Sequence, residues 1–509
     1  MAERLADVLA GLSRFADLGF GLAADTSLRS SVLSARLARS VGGSESEAGA
    51  AFWTALLQHV GCVGYAHESA RLFGDELAVN VAIGRTDPTS SRDGLGTFLP
   101  TLTRGRPRAE QVRLAVTALA RGSAWGEAFG TAACEVGRDA ARRLGLSGEV
   151  QTCLLHAYDT WRGEAAAGVR VGDAIPFGAR VARVTGVAAL FDALGPGLAV
   201  AVVRDRAGTM LDPTLAAAFV ADGAEWLSEL AAGDPREAAL AEEPRPVALV
   251  SDIRQAAEVF GDLADLKSPH FTGHSRRVTA LAEEAARTVH LPDADVSDVA
   301  VAGLLHDVGR VAVSNRIWDK PSRLTLDEWE QVRLHPYHTE RILTGTPTLA
   351  RLAPLAGRHH ERLDGSGYFR GDQAAELSLP ARILAAADCY ATISEPRPHR
   401  PALAPDRAGE RLLADARNGR LDEDAVHAVL TASGQPGHTA RRRPGTLSDR
   451  EVEVLRLLAH GSSNSEIAEQ LVISRRTAEH HVQHVYAKIG VSSRAAATLY
   501  AVEHHVLDG

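Results

Sequence analysis

Cysteine is scarce. Cys62, Cys134, Cys153 and Cys389 lie far apart and no CxxC pair occurs. Neither a zinc ribbon nor a disulfide framework is therefore expected. Lysine is scarcer still, at Lys267, Lys320 and Lys488 alone, while arginine is abundant. With the alanine richness, this reads as coding bias rather than a functional signal. No apolar run reaches the roughly 18 residues that a membrane span needs. The opening MAERLADVLAGL has Glu3 and Asp7 where a secretory leader has a basic head and an apolar stretch, so a cytoplasmic protein without membrane contact is expected. Positive charge is not in excess. A formal net charge of −9 excludes wholesale coating of nucleic acid, though not one small DNA reader.

Apolar residues, at 45% of 509, suffice for several cores. At roughly 150 residues per domain, about three domains are expected. The apolar residues recur at helical spacing, as in Leu33, Leu37, Val41 and in Val278, Leu281, Ala285, Val289. The best strand candidate is LAVAVV at 198–203, whose length does not exclude a buried helix. The fold class is read as all-α. Polar, proline-containing runs at 233–246 and 434–444 read as linkers. They divide the chain into 1–232, 247–433 and 445–509.

The first two segments resemble each other. Shifted by 248 residues, TSLRSSVLSARLARSVG from Thr26 lies on HSRRVTALAEEAARTVH from His274, and ALLQHVGCV lies on GLLHDVGRV. Without a gap, 11 of the 38 positions from Thr26 to Val63 match. GARVARVTG from Gly178 similarly resembles PARILAAAD from Pro380. A tandem duplication is the better reading.

Histidines and acids concentrate in the middle segment. His274 lies in FTGHSRRV, His306 and Asp307 in LLHDVGRV, and His335 in RLHPYH. His359 and His360 lie in GRHHERLDGSGYF, and Asp388 in ARILAAADCY. Imidazoles and carboxylates are what borderline divalent metals accept. Seven candidates exceed the needs of one tetrahedral ion and suit a binuclear centre, in which Asp307 can bridge. His270, four residues before His274, would share a helix face with it; the alternative is a surface histidine.

These motifs, with KPSRLTLDEWEQVRLHP (320–336) and SEPRPHRPA (394–402), resemble the HD superfamily of metal-dependent phosphohydrolases, specifically its HD-GYP branch, over about 255–432. The resemblance implies hydrolysis of cyclic di-GMP on a helical scaffold with two or three iron or manganese ions. It implies His274, His306, Asp307, His335, His359, His360 and Asp388 as metal ligands. Asp307 and Arg310 are the implied catalytic residues, with Arg310, Tyr368 and Arg397 on substrate. Three positions depart from the family pattern. Arg310 stands for a lysine, Phe369 for the proline of GYP, and Thr339 for a glycine. A planar fork thus replaces a compact ammonium. In the first segment Thr26, Gln58, His59 and Gly186 occupy the positions of His274, His306, Asp307 and Asp388. No catalytic metal is expected there, and a sensory, regulatory or dimerising role is.

From Leu447 the helix punctuation is clear. Ser448 with Glu451 and Ser463 with Glu466 form capping boxes, Ser474 can cap the next helix, and Gly490 can close it. The blocks LSDREVEVL, SNSEIAEQL and SRRTAEHHV resemble the LuxR/GerE helix-turn-helix, a four-helix module. The resemblance implies that Arg475, Arg476, Thr477 and Lys488 touch phosphates, while Glu479, His480 and Gln483 face base edges. The implied partner is double-stranded DNA, bound by a homodimer. Residues 440–509 carry a net +1, so the acidity sits elsewhere. Together these readings describe a regulator coupling a cyclic dinucleotide, or another nucleotide, to DNA binding. A sensor that does not hydrolyse its nucleotide is the alternative.

Overall fold

The computed structural model describes residues 3–163, 170–250, 252–434 and 447–507. Two compact units divide the chain, Met1–Ser251 and Asp252–Gly509. Both are helical. Among the described residues the only strands are the two-residue pair Glu3–Arg4 and Leu249–Val250. The run 198–203 lies within the helix Pro196–Asp205, which corrects the strand candidate. Pro196 takes the first helical position, where its missing N–H costs nothing.

The run 233–246 is likewise not a linker throughout. Its Asp234 caps a helix Pro235–Glu242 by accepting from the N–H groups of Arg236 and Glu237. That helix is tied into the first unit by ion pairs Arg236–Asp7, Arg36–Glu242 and Arg39–Glu242. The basic run 435–446, with Arg441, Arg442 and Arg443, lies outside the described residues.

The duplication is visible in the elements themselves. Helices Thr26–Ser40 and Glu45–Leu57 of the first unit repeat as His274–Thr288 and Asp293–Leu305 of the second, offset by the same register. In each copy a left-handed residue precedes the first helix, Asp25 (φ 67°) or Gly273 (φ 72°). In each a buried aspartate then holds the first turn. Asp17 accepts from Ser27 N at 3.0 Å and Oγ at 2.6 Å. Asp265 accepts from Ser275 N at 2.8 Å and Oγ at 2.9 Å. Each carboxylate satisfies an N–H that the helix itself leaves unpaired. A glycine in the following 3₁₀ turn allows close approach. A Cβ on Gly61 would lie 2.0 Å from Ala133 O, and one on Gly309 2.1 Å from His335 O.

Burial raises the Asp17 carboxyl to about 7, against hydrogen bonds from Ser27 that lower it. A proton therefore binds the folded state more tightly than the unfolded one. That contribution to stability is full below the unfolded value near 4 and is lost as pH rises through 7. Asp17→Asn is expected to flatten the pH dependence of the thermal midpoint over this window. At about 1.4 kcal/mol per unit the difference is readily measured; an unchanged slope would contradict the assignment.

The C-terminal part of the second unit has its own core, built on Val454, Leu455, Leu458, Ile467, Val482 and Val485. Both expected capping boxes form, at Ser448 with Glu451 and at Ser463 with Glu466. Ser474 caps the helix Arg475–Ile489, which ends on left-handed Gly490. The turn before this helix places Val472 at φ 54° and 90% exposed. That is a conformation a β-branched residue rarely takes.

Candidate metal centre

Four helical segments bring the second unit's histidines and acids together. His274 opens the helix His274–Thr288, and His306 and Asp307 follow the end of Asp293–Leu305. His335 begins the helix His335–Leu343, and Asp388 lies within Leu379–Ser394. Gly309 lets the turn after Asp307 press against the His335 helix. Thr339 tightens that contact. Its hydroxyl accepts from Gly309 N at 3.0 Å and donates to His306 O at 2.8 Å. The threonine in place of the family's glycine thus satisfies two backbone groups beside the ligands.

The side chains form two groups, His274/His306/Asp307/Asp388 and His335/His359/His360. His274, His306, Asp307 and His359 have no solvent-exposed surface, and Asp388 and His335 are 1% exposed. Asp307 faces both groups. Its Oδ2 lies 2.7 Å from His306 Nε2 and 3.4 Å from His274 Nε2. Its Oδ1 lies 3.3 Å from His335 Nε2 and 3.5 Å from His359 Nε2. Asp388 Oδ1 approaches His274 Nε2 at 3.3 Å, and its Oδ2 approaches His360 Nδ1 at 3.6 Å.

Backbone carbonyls set the tautomers. The Nδ1 atoms of His306, His335 and His359 donate to Gly303 O, Val332 O and Ala356 O at 2.7, 2.6 and 2.7 Å. Each Nε2 lone pair is thereby turned inward. His335 Nε2 and His359 Nε2 face each other at 3.2 Å, an arrangement that a shared cation relieves. His274 Nε2, His306 Nε2 and both oxygens of Asp307 are buried without a hydrogen-bond partner. They approach one another closely, yet they converge on common points rather than bonding pairwise. Buried polar atoms left in this way are costly unless something satisfies them.

The electrostatics have the same sign. Burial opposes ionisation of Asp307 and Asp388, but Arg310 and the histidines hold the Asp307 carboxyl, and the close approach of His274 with His360 and His306 holds the Asp388 carboxyl, well below the usual range. Burial works against a charge on His274, yet Glu395, Asp307 and Asp388 raise it to about 10. Burial lowers His359 to about 4. Two ionised carboxylates among inward-turned imidazole nitrogens make a donor set suited to cations.

Arg310 sits 5% exposed, 2.5 Å from Asp307 Oδ2. It lies over Phe271 at 4.3 Å and Trp318 at 5.7 Å, with Nε and Nη1 unpartnered. Tyr368 stacks near His360, with ring centres 4.7 Å apart. Arg397 is held by Glu395 at 2.9 Å and lies over Phe271. His270 lies in the 3₁₀ turn Pro269–Phe271, before the helix begins, so it does not share a helix face with His274 and joins neither group.

Glu395 was not singled out from the sequence. It is 7% exposed, accepts from His274 Nδ1 at 2.9 Å and pairs with Arg277 and Arg397. Its place in SEPRPHRPA is the signal that was there to be read. Outer partners of this kind orient a ligand and tune its basicity. Glu395→Gln is expected to weaken metal affinity about 10- to 100-fold without removing a ligand. Titration of metal-stripped protein checks this; unchanged affinity would contradict it.

The exposed face of the helix Arg475–Ile489 carries Arg475, Arg476, Thr477, His480, Gln483 and Lys488, with Glu479 half-buried. Ala478, Val482 and Val485 point to the core. Four of the seven have polar partners within the module, Thr477 through the Ser474 hydroxyl at 2.7 Å and the others in ion pairs. Arg475 pairs with Glu479 at 2.9 Å and Lys488 with Glu451 at 2.7 Å. His484, also exposed and 4.1 Å from His480 between ring centres, shares the face and was not foreseen.

A helical HD-type scaffold with a buried His/Asp cluster and a helix-turn-helix define a phosphohydrolase-like unit fused to a DNA-reading module. The family model for the HD domain matches residues 258–425, and that for bacterial regulatory proteins of the luxR family matches 445–501. The chain is 31% identical over 372 residues to 3'3'-cGAMP-specific phosphodiesterase 3 of Vibrio cholerae serotype O1, covering 72% of this chain and 81% of that protein. It is 37% identical over 162 residues to the cyclic di-GMP phosphodiesterase PA4108 of Pseudomonas aeruginosa, covering 32% of this chain and 39% of that one. A crystal structure of a cyclic GMP-AMP-specific phosphodiesterase of V. cholerae matches 86% of this chain and 99% of its own, at TM-score 0.58 and 26% identity. The chain therefore belongs to the HD-domain phosphodiesterase family of these relatives, with a luxR-family regulatory domain at its C-terminal end. No described helix is long and apolar enough to cross a membrane.

Proposed function

We propose that the second unit is a two-metal phosphodiesterase for a cyclic dinucleotide whose state is passed to the DNA-reading module. The observation that carries this is Asp307, fully buried, with one oxygen toward each group of ligands and Arg310 as its one arginine partner. The donors fit iron or manganese: imidazole lone pairs and carboxylates, ordered from behind by carbonyls and Glu395. His274, His306, Asp307 and Asp388 would hold one ion, and His335, His359 and His360 with Asp307 the other. Two such ions supply Lewis acidity and a lowered water pKa.

The chain's own groups do the remaining work. Arg310, beside the Phe271 and Trp318 rings, presents two unpartnered guanidinium nitrogens, suited to phosphoryl oxygens. Tyr368, beside His360 and within 6.0 Å of Trp329 between ring centres, offers a face on which a base can stack. His360, with 15% of its side chain exposed, is the most accessible of the seven candidates and marks the open side.

Within the second unit the DNA-reading module touches the segment that places His274. Thr272 Oγ1 donates to Ala459 O at 3.0 Å, and left-handed Gly461 lies so close to Pro269 that a Cβ would approach it to 2.5 Å. Movement of the His274 segment is thereby felt at the helix Asp449–Ala459. We read the parts as 1–232, 247–433 and 445–509, acting on DNA as a homodimer in the cytoplasm.

The test is turnover of cyclic di-GMP and 3'3'-cGAMP by the full chain, with DNA affinity followed in the same samples. The expected result is a linear dinucleotide and a DNA affinity that changes when nucleotide is added, with Thr272→Val reducing that change. Metal-loaded protein that cleaves neither nucleotide would overturn the enzymatic reading. DNA affinity indifferent to nucleotide would overturn the coupling.

A further inference from the structure

The first unit lacks the ligand set, yet it is not filled in. Where the second unit holds its metal ligands, the first has a cavity of about 640 Å³. Gln58, His59 and Gly186, the counterparts of His306, Asp307 and Asp388, lie on its wall. The volume is in the range of small-molecule sites rather than of packing defects.

The lining is of two kinds. Most of it is apolar, with Phe20, Phe98, Trp125, Phe129, Leu190 and Val187 contributing. Gly122, Gly126 and Gly130, one turn apart on the helix Arg108–Arg143, also face it, and a Cβ on any of them meets nothing within 4 Å. Leu95 and Leu119 line the cavity while 61% and 75% exposed, which gives it an apolar mouth.

The rest is polar, with Gln58, Thr86, Ser123 and the exposed Glu127, and it includes a single cation. Arg183 lies over the Tyr158 ring at 5.5 Å, and its Nε is buried without a partner. Among the described residues no carboxylate lies within ion-pair distance of it. The carboxylate that acts on it most, Asp87, does so less than the Tyr158 phenol and spends one oxygen on Thr89 N and Oγ1 at 2.8 and 2.7 Å. His59, beside Arg183, is kept neutral because burial lowers it to about 3. An unpaired charge in such a place is expensive unless something compensates it.

We propose that the first unit is a receptor for a small amphipathic monoanion, whose apolar body fills the cavity and whose carboxylate-type head pairs with Arg183. This is independent of whether the second unit hydrolyses anything. A linear acyl chain and an aromatic acid share this chemistry, and the probes separate them.

The experiment titrates the full chain with 1-anilinonaphthalene-8-sulfonate, with dodecanoate as competitor, and with neutral N-phenyl-1-naphthylamine. Wild type is expected to bind the anionic probe saturably, one per chain. Displacement by dodecanoate marks an acyl-chain site, and saturable binding that dodecanoate does not displace marks a site for aromatic acids. Gly126→Leu fills the cavity and replaces a helix glycine by a better helix former, so binding should fall about tenfold or more with the thermal midpoint not lowered. Arg183→Met should weaken the anionic probe about tenfold while leaving the neutral one within about twofold. Unsaturable binding, full affinity in Gly126→Leu, or equal loss of both probes in Arg183→Met would overturn the proposal.

Discussion

Asp307→Asn is expected to empty both metal positions and abolish phosphodiester cleavage. The substitution keeps the shape of the side chain and removes its charge. In the folded protein that charge faces His274 and His306 through one oxygen and His335 and His359 through the other. Leaving a buried cation without its partner costs about 3–5 kcal/mol, or about 10²- to 10⁴-fold in affinity. Asp388→Asn should behave differently. Asp388 approaches His274 at 3.3 Å and reaches the second group only through His360 at 3.6 Å. The second group should therefore keep most of its metal. Metal analysis of the two variants side by side separates a shared carboxylate from an ordinary ligand. Equal losses would mean that Asp307 is not the bridge. Asp307 also pairs with Arg310, so circular dichroism and thermal midpoints of both variants must accompany the metal counts.

Arg476→Ala should weaken binding to every DNA sequence and lower the salt slope by about one, because an exposed arginine without an internal partner contributes to phosphates. Arg475→Ala should have the smaller effect, since Arg475 is already paired with Glu479. Glu479→Ala should then raise affinity by freeing Arg475 and removing a like charge from the DNA face. His480→Ala or Gln483→Ala should instead change which sequences are preferred, at about 1–3 kcal/mol per base contact. Lys488→Ala should cost stability as well as affinity. Its ammonium holds Glu451, whose carboxyl the Lys488 hydrogen bond and the Ser448 N–H lower to about 2. Fluorescence anisotropy over a salt series checks all six; an Arg476→Ala slope equal to that of wild type would contradict the phosphate role.

Much of the molecule was legible in the sequence, for a physical reason. Several candidate ligands, His274, His306, Asp307 and His335, sit at helix ends in short motifs that survive in linear order. The 248-residue register could be read because both copies need the same aspartate–serine lock and the same glycine approach. Glu395 escaped because its role exists only once the chain has brought it across more than a hundred residues to His274. The run at 233–246 misled because Asp-Pro reads equally as a turn and as a helix start, and only the ion pairs to Asp7, Arg36 and Arg39 decide. LAVAVV misled because a short apolar run fits a strand or a buried helix alike. His270 misled because helical spacing was assumed to begin before Gly273, whose left-handed backbone starts the helix one residue later. The cavity of the first unit had no signature beyond lost ligands, since empty space depends on what fails to meet across it.

The most direct measurement is an anomalous difference map of crystals grown from anaerobically purified protein, collected at the iron and manganese edges. The account predicts two peaks flanking Asp307, one toward His274, His306 and Asp388, the other toward His335, His359 and His360. A map with no peak beside Asp307, or with peaks only elsewhere in the chain, would contradict it.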